Sequence, residues 1–486
     1  MEKGEGPSLK KINKYACACS IVASMISIIF GYDTGVMSGA MIFVKKEFHI
    51  SDVKTEVLAG ILNLCALIGS LSAGRTSDYV GRRYTIVIAS ILFFLGSVVM
   101  GYGPNYTILL LGRCIAGVGV GFALMIAPVY SAEVSSPSTR GFLSSLPEIG
   151  ISTGILLGYL IGWRIMLGLA AIPSVFLGIG ILRMPESPRW LIMKGRLREG
   201  KEIMHKVSNS PEEAEFRLRE VKRNLGMDEN CDDEVVKISD SVKKQDEGVW
   251  KELLLKPTKS LQRILLAGIG IHFFEHATGI EAVILYSHRI FAKAGVHDHQ
   301  HQILATCGVG LTKFSFIVLS TILIDRVGRR KLVLTSVSGM VLALTGLGTF
   351  LTLAEQSGGK LVWTLVLSII TTYSYVAFFN VGLAPVTWVY TAEIFPLRYR
   401  GLGVGIGVAV NRLMNATVSM TFLSMMSAMT IAGVFFMFAG ISVIALLFFY
   451  FFLPETKGKS LEEMEALFTK SKDSKNVRKE VQIGNH

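Results

Sequence analysis

The sequence predicts an all-α membrane protein of twelve transmembrane helices, arranged as two pseudo-symmetric six-helix bundles with short helices between them. Three observations carry that prediction. The 486 residues are 51% hydrophobic and only 18% charged, with a mean hydropathy of +0.49, and a soluble protein of this size needs more charge to cover its surface. The apolar residues fall in blocks of ~20, the length that crosses a bilayer core. Three short motifs recur in the same order about half a chain apart. Asp78-Tyr-Val-Gly-Arg-Arg83 returns as Asp325-Arg-Val-Gly-Arg-Arg330, Val129-Tyr-Ser-Ala-Glu133 as Val389-Tyr-Thr-Ala-Glu393, and Pro185-Glu-Ser187 as Pro454-Glu-Thr456. Recurrence in order means that two halves follow one plan.

Residues 1–15 form a basic leader with Lys3, Lys10, Lys11 and Lys14, and lack a cleavable signal, so the first span serves as the membrane address. Spans are expected near 16–36, 57–73, 84–102, 106–127, 142–161 and 165–182, which make an N-terminal bundle over 16–182. A polar segment, 183–260, follows with no span. Its dense mixture of charges predicts short surface helices, one starting at Pro211, and too few apolar residues for a catalytic domain. Spans near 264–287, 303–324, 332–354, 362–390, 402–428 and 432–452 make a C-terminal bundle over 261–453, and 454–486 is a polar tail. The Arg-rich turns, the central segment and both termini carry the Lys and Arg, which with twelve spans places both termini in the cytoplasm. The formal net charge of +12 therefore reflects topology rather than a nucleic-acid partner.

Six cysteines lie mostly inside spans without metal-ligand or disulfide spacing, so no disulfide framework, metal or cofactor is expected. Asn105-Tyr-Thr107 is a glycosylation sequon crowded against a span. His297, His299 and His301 read as a solvated loop before they read as a metal cluster.

Ionisable groups at membrane depth are costly and are taken as functional candidates. Asp33 lies in the first span and Arg113 in the fourth, beside small residues (Ala116, Gly117, Gly119, Gly121) that let helices approach closely. Pairing them answers both desolvation costs. A carboxylate that alternates between a paired and an unpaired state couples to protons, and a static ion pair is the alternative. Glu148 lies in the fifth span, Glu275, His276 and Glu281 in the seventh, and Lys313 in the eighth. Asn380, Trp388, Asn411 and Asn415 follow in the tenth and eleventh. Carboxylates, amides, a lysine and an indole together suit a neutral polyhydroxylated solute, whose hydroxyls both donate and accept. Glu281 and Lys313 are expected to neutralise one another. Asp78, Arg82, Arg83, Glu133 and Arg140, with Asp325, Arg329, Arg330, Glu393 and Arg400, fall at cytoplasmic span ends. Positive-inside anchoring explains the arginines but not a glutamate seven residues before each Arg-Gly. The set is read as a cytoplasmic gate whose ion pairs break together as the halves rock, as in an alternating-access transporter.

Together these motifs resemble the sugar porter branch of the major facilitator superfamily. The resemblance rests on Gly74-Arg75, Asp78 and Gly81-Arg-Arg83, on Pro185-Glu-Ser-Pro-Arg189, on Asp325 and Gly328-Arg-Arg330, and on Pro454-Glu-Thr-Lys-Gly458. LPEIGISTGILLGY, IGIHFFEHATGIEAV, VGVGLTK and VNRLMNATVSMTFLSM are similar to plant polyol/monosaccharide transporters. The resemblance implies a major facilitator fold and no enzyme activity. It further implies proton-coupled symport of linear polyols (sorbitol, mannitol, xylitol), inositol and monosaccharides across the plasma membrane. By it, Asp33 is the proton acceptor, Arg113 its partner, and Trp388 and Asn411 bind sugar. A monomer is expected. Glu148, Glu275, His276, Glu281 and Lys313 stand where hexose porters carry amides, which favours a broader polyol site. The Tyr159–Arg164 link is about ten residues shorter than the family leads one to expect, and His288 replaces a proline. A facilitative uniporter and a non-transporting solute sensor are the alternative functions.

Overall fold

The computed structural model describes residues 13–136, 139–160, 171–224, 253, 257–296, 298–357, 361–395 and 399–457. All regular structure among them is helical. The chain divides into two compact units, Met1–Phe43 with Ile61–Lys244 and Val44–Gly60 with Gln245–His486.

In the first unit α1 (Lys14–Glu47) starts where Asn13 Oδ1 accepts hydrogen bonds from the backbone N–H groups of Tyr15 and Ala16. It is followed by α2 (Asp52–Val80), α3 (Arg82–Tyr102), α4 (Tyr106–Val134), α5 (Arg140–Leu160) and α6 (Ala171–Leu182). These fall on the first six expected spans. Residues 161–170, which hold most of the short link and the start of the sixth span, lie outside the described residues. Asn105, the sequon asparagine, caps α4 by accepting from the Ile108 N–H at 3.0 Å. Small residues set the helix spacing. A Cβ on Gly31 or Gly35 of α1 would collide with the carbonyls of Ile151 and Ile155, and one on Gly154 of α5 with that of Ile28. With no side chain between them, α1 and α5 meet backbone to backbone, the contact that drives association where lipid removes the hydrophobic incentive.

The central polar segment supplies α7 (Pro188–Met193), α8 (Leu197–Val207) and α9 (Pro211–Asn224). The last begins at the expected proline. The three close on a small core of Ile192, Leu197, Met204, Ala214, Leu218 and Val221. Arg217, 1% exposed, ties this core to the end of α4: its guanidinium donates to the carbonyls of Glu133 (3.1 Å) and Ser135 (2.9 Å) and to Ser208 Oγ. Among the described residues, the short helices expected from the mixed charges are held by this apolar core and by the buried Arg217.

The second unit holds α10 (Lys259–Ala277), α11 (Ile280–Ala294), α12 (His299–Val327), α13 (Arg329–Gln356), α14 (Val362–Val381), α15 (Leu383–Ile394) and α16 (Arg400–Phe452). Two expected spans are broken helices. The seventh splits into α10 and α11 at Gly279, whose φ of +93° is left-handed and suits only glycine without strain. The tenth splits into α14 and α15 at Gly382. Freed backbone groups need partners at membrane depth, and side chains provide them. Tyr375 Oη donates to the Thr278 carbonyl at 3.0 Å, Ser336 Oγ to that of Phe378 at 2.6 Å, and Ser320 Oγ to that of Val381 at 2.5 Å. Ser336 Oγ also accepts from the Leu383 N–H. The eleventh and twelfth spans run as one helical stretch, α16, interrupted at Met429 and Thr430 where φ/ψ leave the helix. Eight described helical stretches are long and apolar enough to cross a membrane, among them 362–391 and 402–452 with their interruptions.

Replacing Gly154 by leucine should wedge α1 from α5 and lower the detergent melting temperature, at a cost of about 1–3 kcal/mol or more. Gly440→Leu should leave it unchanged, since nothing lies within 4 Å of a Cβ there. Equal melting of both variants would refute the backbone contact as the spacing device.

Candidate functional site

The first unit holds the pair that the sequence anticipates. Asp33 on α1 and Arg113 on α4 are each 2% exposed, and Arg113 Nη1 donates to Asp33 Oδ2 at 3.1 Å. The glycines at this level pack α1 against α5 and α4 against α2 and α3. Coulomb attraction at low dielectric holds such a pair, and either charge left alone would be strongly unfavourable. Glu148, on α5 of the same unit, is also buried.

The second unit assembles the remaining candidates around the break between α10 and α11. Glu275 and His276 end α10, and Glu281 opens α11. Lys313 lies on α12, Asn380 on α14, Trp388 on α15, and Asn411 and Asn415 on α16. All but Trp388 are buried, and Trp388 is half-buried. Asn411 Nδ2 donates to Glu275 Oε2 at 2.5 Å, and His276 Nδ1 lies 3.5 Å from Glu281 Oε1. The edge of Trp388 meets His272 with ring centroids 5.4 Å apart. Trp388 Nε1, a donor, and Asn380 Oδ1, an acceptor, have no hydrogen-bond partner among the described residues. The imidazole of His276 thus faces the Glu281 carboxylate.

Two members of this cluster escape the reading of the sequence. His272 lies one helical turn before Glu275, with its Nδ1 3.7 Å from Glu275 Oε2 and Thr391 Oγ1 at its Nε2. Arg412, 3% exposed, follows Asn411 directly. Both are ionisable residues inside apolar stretches, so the criterion that picks out Lys313 would find them.

The repeated motifs fold into the same constellation twice, once in each unit. In the first, Arg82 grips Glu133 through Nε and Nη2, both at 3.1 Å, and donates to Asp78 at 3.0 Å and to the Ser77 carbonyl. In the second, Arg329 pairs with Glu393 at 2.8 Å and donates to the Ile324 carbonyl. The looser third motif turns out to be part of both. Glu186 accepts from the N–H groups of Arg82 (2.9 Å) and Arg83, and Glu455 from those of Arg329 (2.9 Å) and Arg330. Each carboxylate thus sits on the N-terminus of the helix that follows Gly81 or Gly328, where orphan N–H groups and the helix dipole favour an anion. Burial pushes the Glu186 carboxyl above the usual glutamate range, and the N–H groups of Ser187, Arg83 and Arg82 pull it back. Thr456 adds a hydrogen bond to Glu393 at 2.7 Å. The side chains of Arg140, Asp325 and Arg400 lie outside the described residues.

The end of α1 and the start of α2 group with the second unit through two further contacts. Glu56, buried, accepts from the Ser424 N–H and Oγ at 2.8 and 2.6 Å, and Asp52 pairs with Arg289 at 2.9 Å.

The family model described as sugar (and other) transporter matches residues 19–468. A probable polyol transporter 6 of Arabidopsis thaliana is 62% identical over 97% of each chain, and polyol transporter 5 of the same plant is 52% identical over 98% of this chain and 92% of its own. The solved structure of the proton:xylose symporter XylE bound to a bromodeoxyglucose superposes with a TM-score of 0.80 at 27% identity, covering 94% of this chain and all of that one. An inward-open XylE from E. coli gives 0.72 at 26% identity, with the same coverage. The chain therefore belongs to the sugar (and other) transporter family, as a multi-pass membrane transporter of major facilitator fold and not an enzyme.

Proposed function

We propose that this chain is a proton-coupled symporter of polyhydroxylated solutes, linear polyols and inositol with monosaccharides, working by alternating access. The observation that carries the reading is the buried Asp33–Arg113 pair. An aspartate held ionised by one guanidinium becomes a proton acceptor when that contact loosens, because a lone carboxylate is strongly disfavoured at membrane depth. The names of the similar proteins point the same way: the plant relatives are polyol transporters, and XylE is a proton:xylose symporter. In the second unit, Glu275, His276, Glu281, Lys313, Asn380, Trp388 and Asn411 offer the mixed donors and acceptors that a polyol needs. Glu148 on α5 is the first unit's candidate for the same role. Trp388 Nε1 and Asn380 Oδ1 are a donor and an acceptor whose bonding a hydroxyl would complete. The two Arg–Glu clusters, Arg82 with Asp78 and Glu133, and Arg329 with Glu393, act as the cytoplasmic gate. Each closes within its own unit and holds the ends of its helices in one of two arrangements. Location in the plasma membrane, cytoplasmic termini and a monomeric state complete the reading.

Uptake of labelled sorbitol into proteoliposomes should rise several-fold when the outside is made acidic, and uptake indifferent to the gradient would leave a facilitator. Asp33→Asn should abolish accumulation against a gradient while sparing exchange of solute across the membrane, and continued accumulation would remove Asp33 as the coupling site. Glu133→Gln with Glu393→Gln should slow turnover about tenfold, since each loses a charge-assisted bond worth about 1.5–3 kcal/mol, with solute affinity preserved. A change in affinity at constant turnover would place these residues in binding instead.

A further inference from the structure

We propose that Arg412 is a positioning residue that sets the hydrogen-bond polarity of the second-unit cluster and, through it, the preference for solutes whose every oxygen is a hydroxyl. The inference rests on the transport reading above. A guanidinium only donates. Arg412 Nε is 2.9 Å from Asn411 Oδ1, and Nη2 also reaches that atom. The amide must therefore turn its oxygen to Arg412 and its NH2 to Glu275, where Nδ2 and Oε2 are 2.5 Å apart. The reverse orientation would set an NH2 against the guanidinium and an oxygen against a carboxylate. Arg412 Nη2 is also 3.3 Å from His276 Nε2, and His276 Nδ1 faces Glu281 Oε1 at 3.5 Å. Asn411 Oδ1 is 3.1 Å from His276 Nε2. The Arg412 guanidinium thus stands against both the amide oxygen and the imidazole.

Asn411 is 0% exposed, and with its oxygen on Arg412 and one amide N–H on Glu275 it bridges the two while keeping a second N–H. What the bridge orients are the carboxylates of Glu275 and Glu281, each of which accepts several hydrogen bonds. Lys313 on α12, Asn415 at 3.5 Å from His276 Nδ1, and His272 beside Glu275 complete the charged and titratable surroundings of His276. A face led by two oriented carboxylates asks its ligand for donors. Every oxygen of an alditol or a cyclitol can donate, whereas the ring oxygen of a pyranose only accepts and faces an acceptor at a cost. Buried polar groups left unmatched discriminate strongly between otherwise similar ligands.

The test is uptake by the full-length chain in proteoliposomes, with KM and maximal rate measured for labelled sorbitol and labelled xylose. Arg412→Met releases both the amide and the imidazole, and should raise the sorbitol KM about tenfold relative to the xylose KM, the loss expected for misdirected charged hydrogen bonds. Maximal rates should fall together or not at all. Arg412→Lys keeps the charge but cannot reach both groups, and should move the same ratio about threefold, so it carries the test if the methionine variant does not reach the membrane. An unmoved KM ratio in either inserted variant, with both solutes slowed alike, reduces Arg412 to a structural part and overturns the inference. Wild-type vesicles that take up neither solute overturn the transport reading and this inference with it. Wild-type uptake with an unmoved ratio overturns only the role of Arg412.

Discussion

A carboxylate and a guanidinium facing one another at membrane depth constrain everything around them. Neither Asp33 nor Arg113 is tolerable there alone, and their 3.1 Å contact requires α1 and α4 to hold register while α1 lies flush against α5. The glycines of α1 and α5 let those two backbones meet, and those of α4 do the same for α2 and α3. The packing and the chemistry of the first unit are thus one requirement. The small residues of α4 serve the neighbouring helices on its flanks.

The breaks in the second unit follow a related logic. A continuous helix hides its backbone polar groups, so a membrane protein that needs polar atoms at depth can interrupt a helix and redeploy them. Gly279 and Gly382 are the interruptions, and Tyr375, Ser336 and Ser320 take up the carbonyls so released. The first break leaves Glu275 and His276 at the end of one short helix and Glu281 at the start of the next, so three ionisable groups gather at one level.

Much of this is readable from the chain alone. The spans follow from apolar length, the duplication from motifs that recur in order, and the Asp33–Arg113 pair from the cost of burying either charge. The gate glutamates stand out because they recur. What stays hidden has physical causes. The helix breaks leave no composition signal, since Thr278-Gly279 and Val381-Gly382 look like ordinary small residues in apolar runs. Glu186 and Glu455 are recognisable as repeats, but their role depends on backbone N–H groups 104 and 126 residues away. Complementary charges on adjacent spans suggest pairing Glu281 with Lys313, and nothing in that reasoning foresees the imidazole of His276 at the same carboxylate. Arg412 and His272 obey the rule that finds their neighbours and are masked by them, each sitting within three residues of a polar residue that already has a role.

The duplicated and the unduplicated residues separate cleanly, and the separation is itself an argument about mechanism. Arg82 with Glu133 and Glu186, and Arg329 with Glu393 and Glu455, are repeated down to the backbone N–H groups that they use. They lie at helix ends, where in each unit they tie the ends of several helices together. At membrane depth the halves diverge completely. Asp33 and Arg113 have no counterpart pair among the recurring motifs, and neither does the cluster of Glu275, His276 and Arg412. A device that moves by symmetry needs matched hinges and latches. A device that couples two different cargoes needs unmatched sites, or each half would compete for the same one. Symmetric ends joined to asymmetric centres are therefore what a two-cargo transporter built by duplication should retain, and the proposed proton carboxylate in one unit and proposed hydroxyl-reading groups in the other fit that pattern.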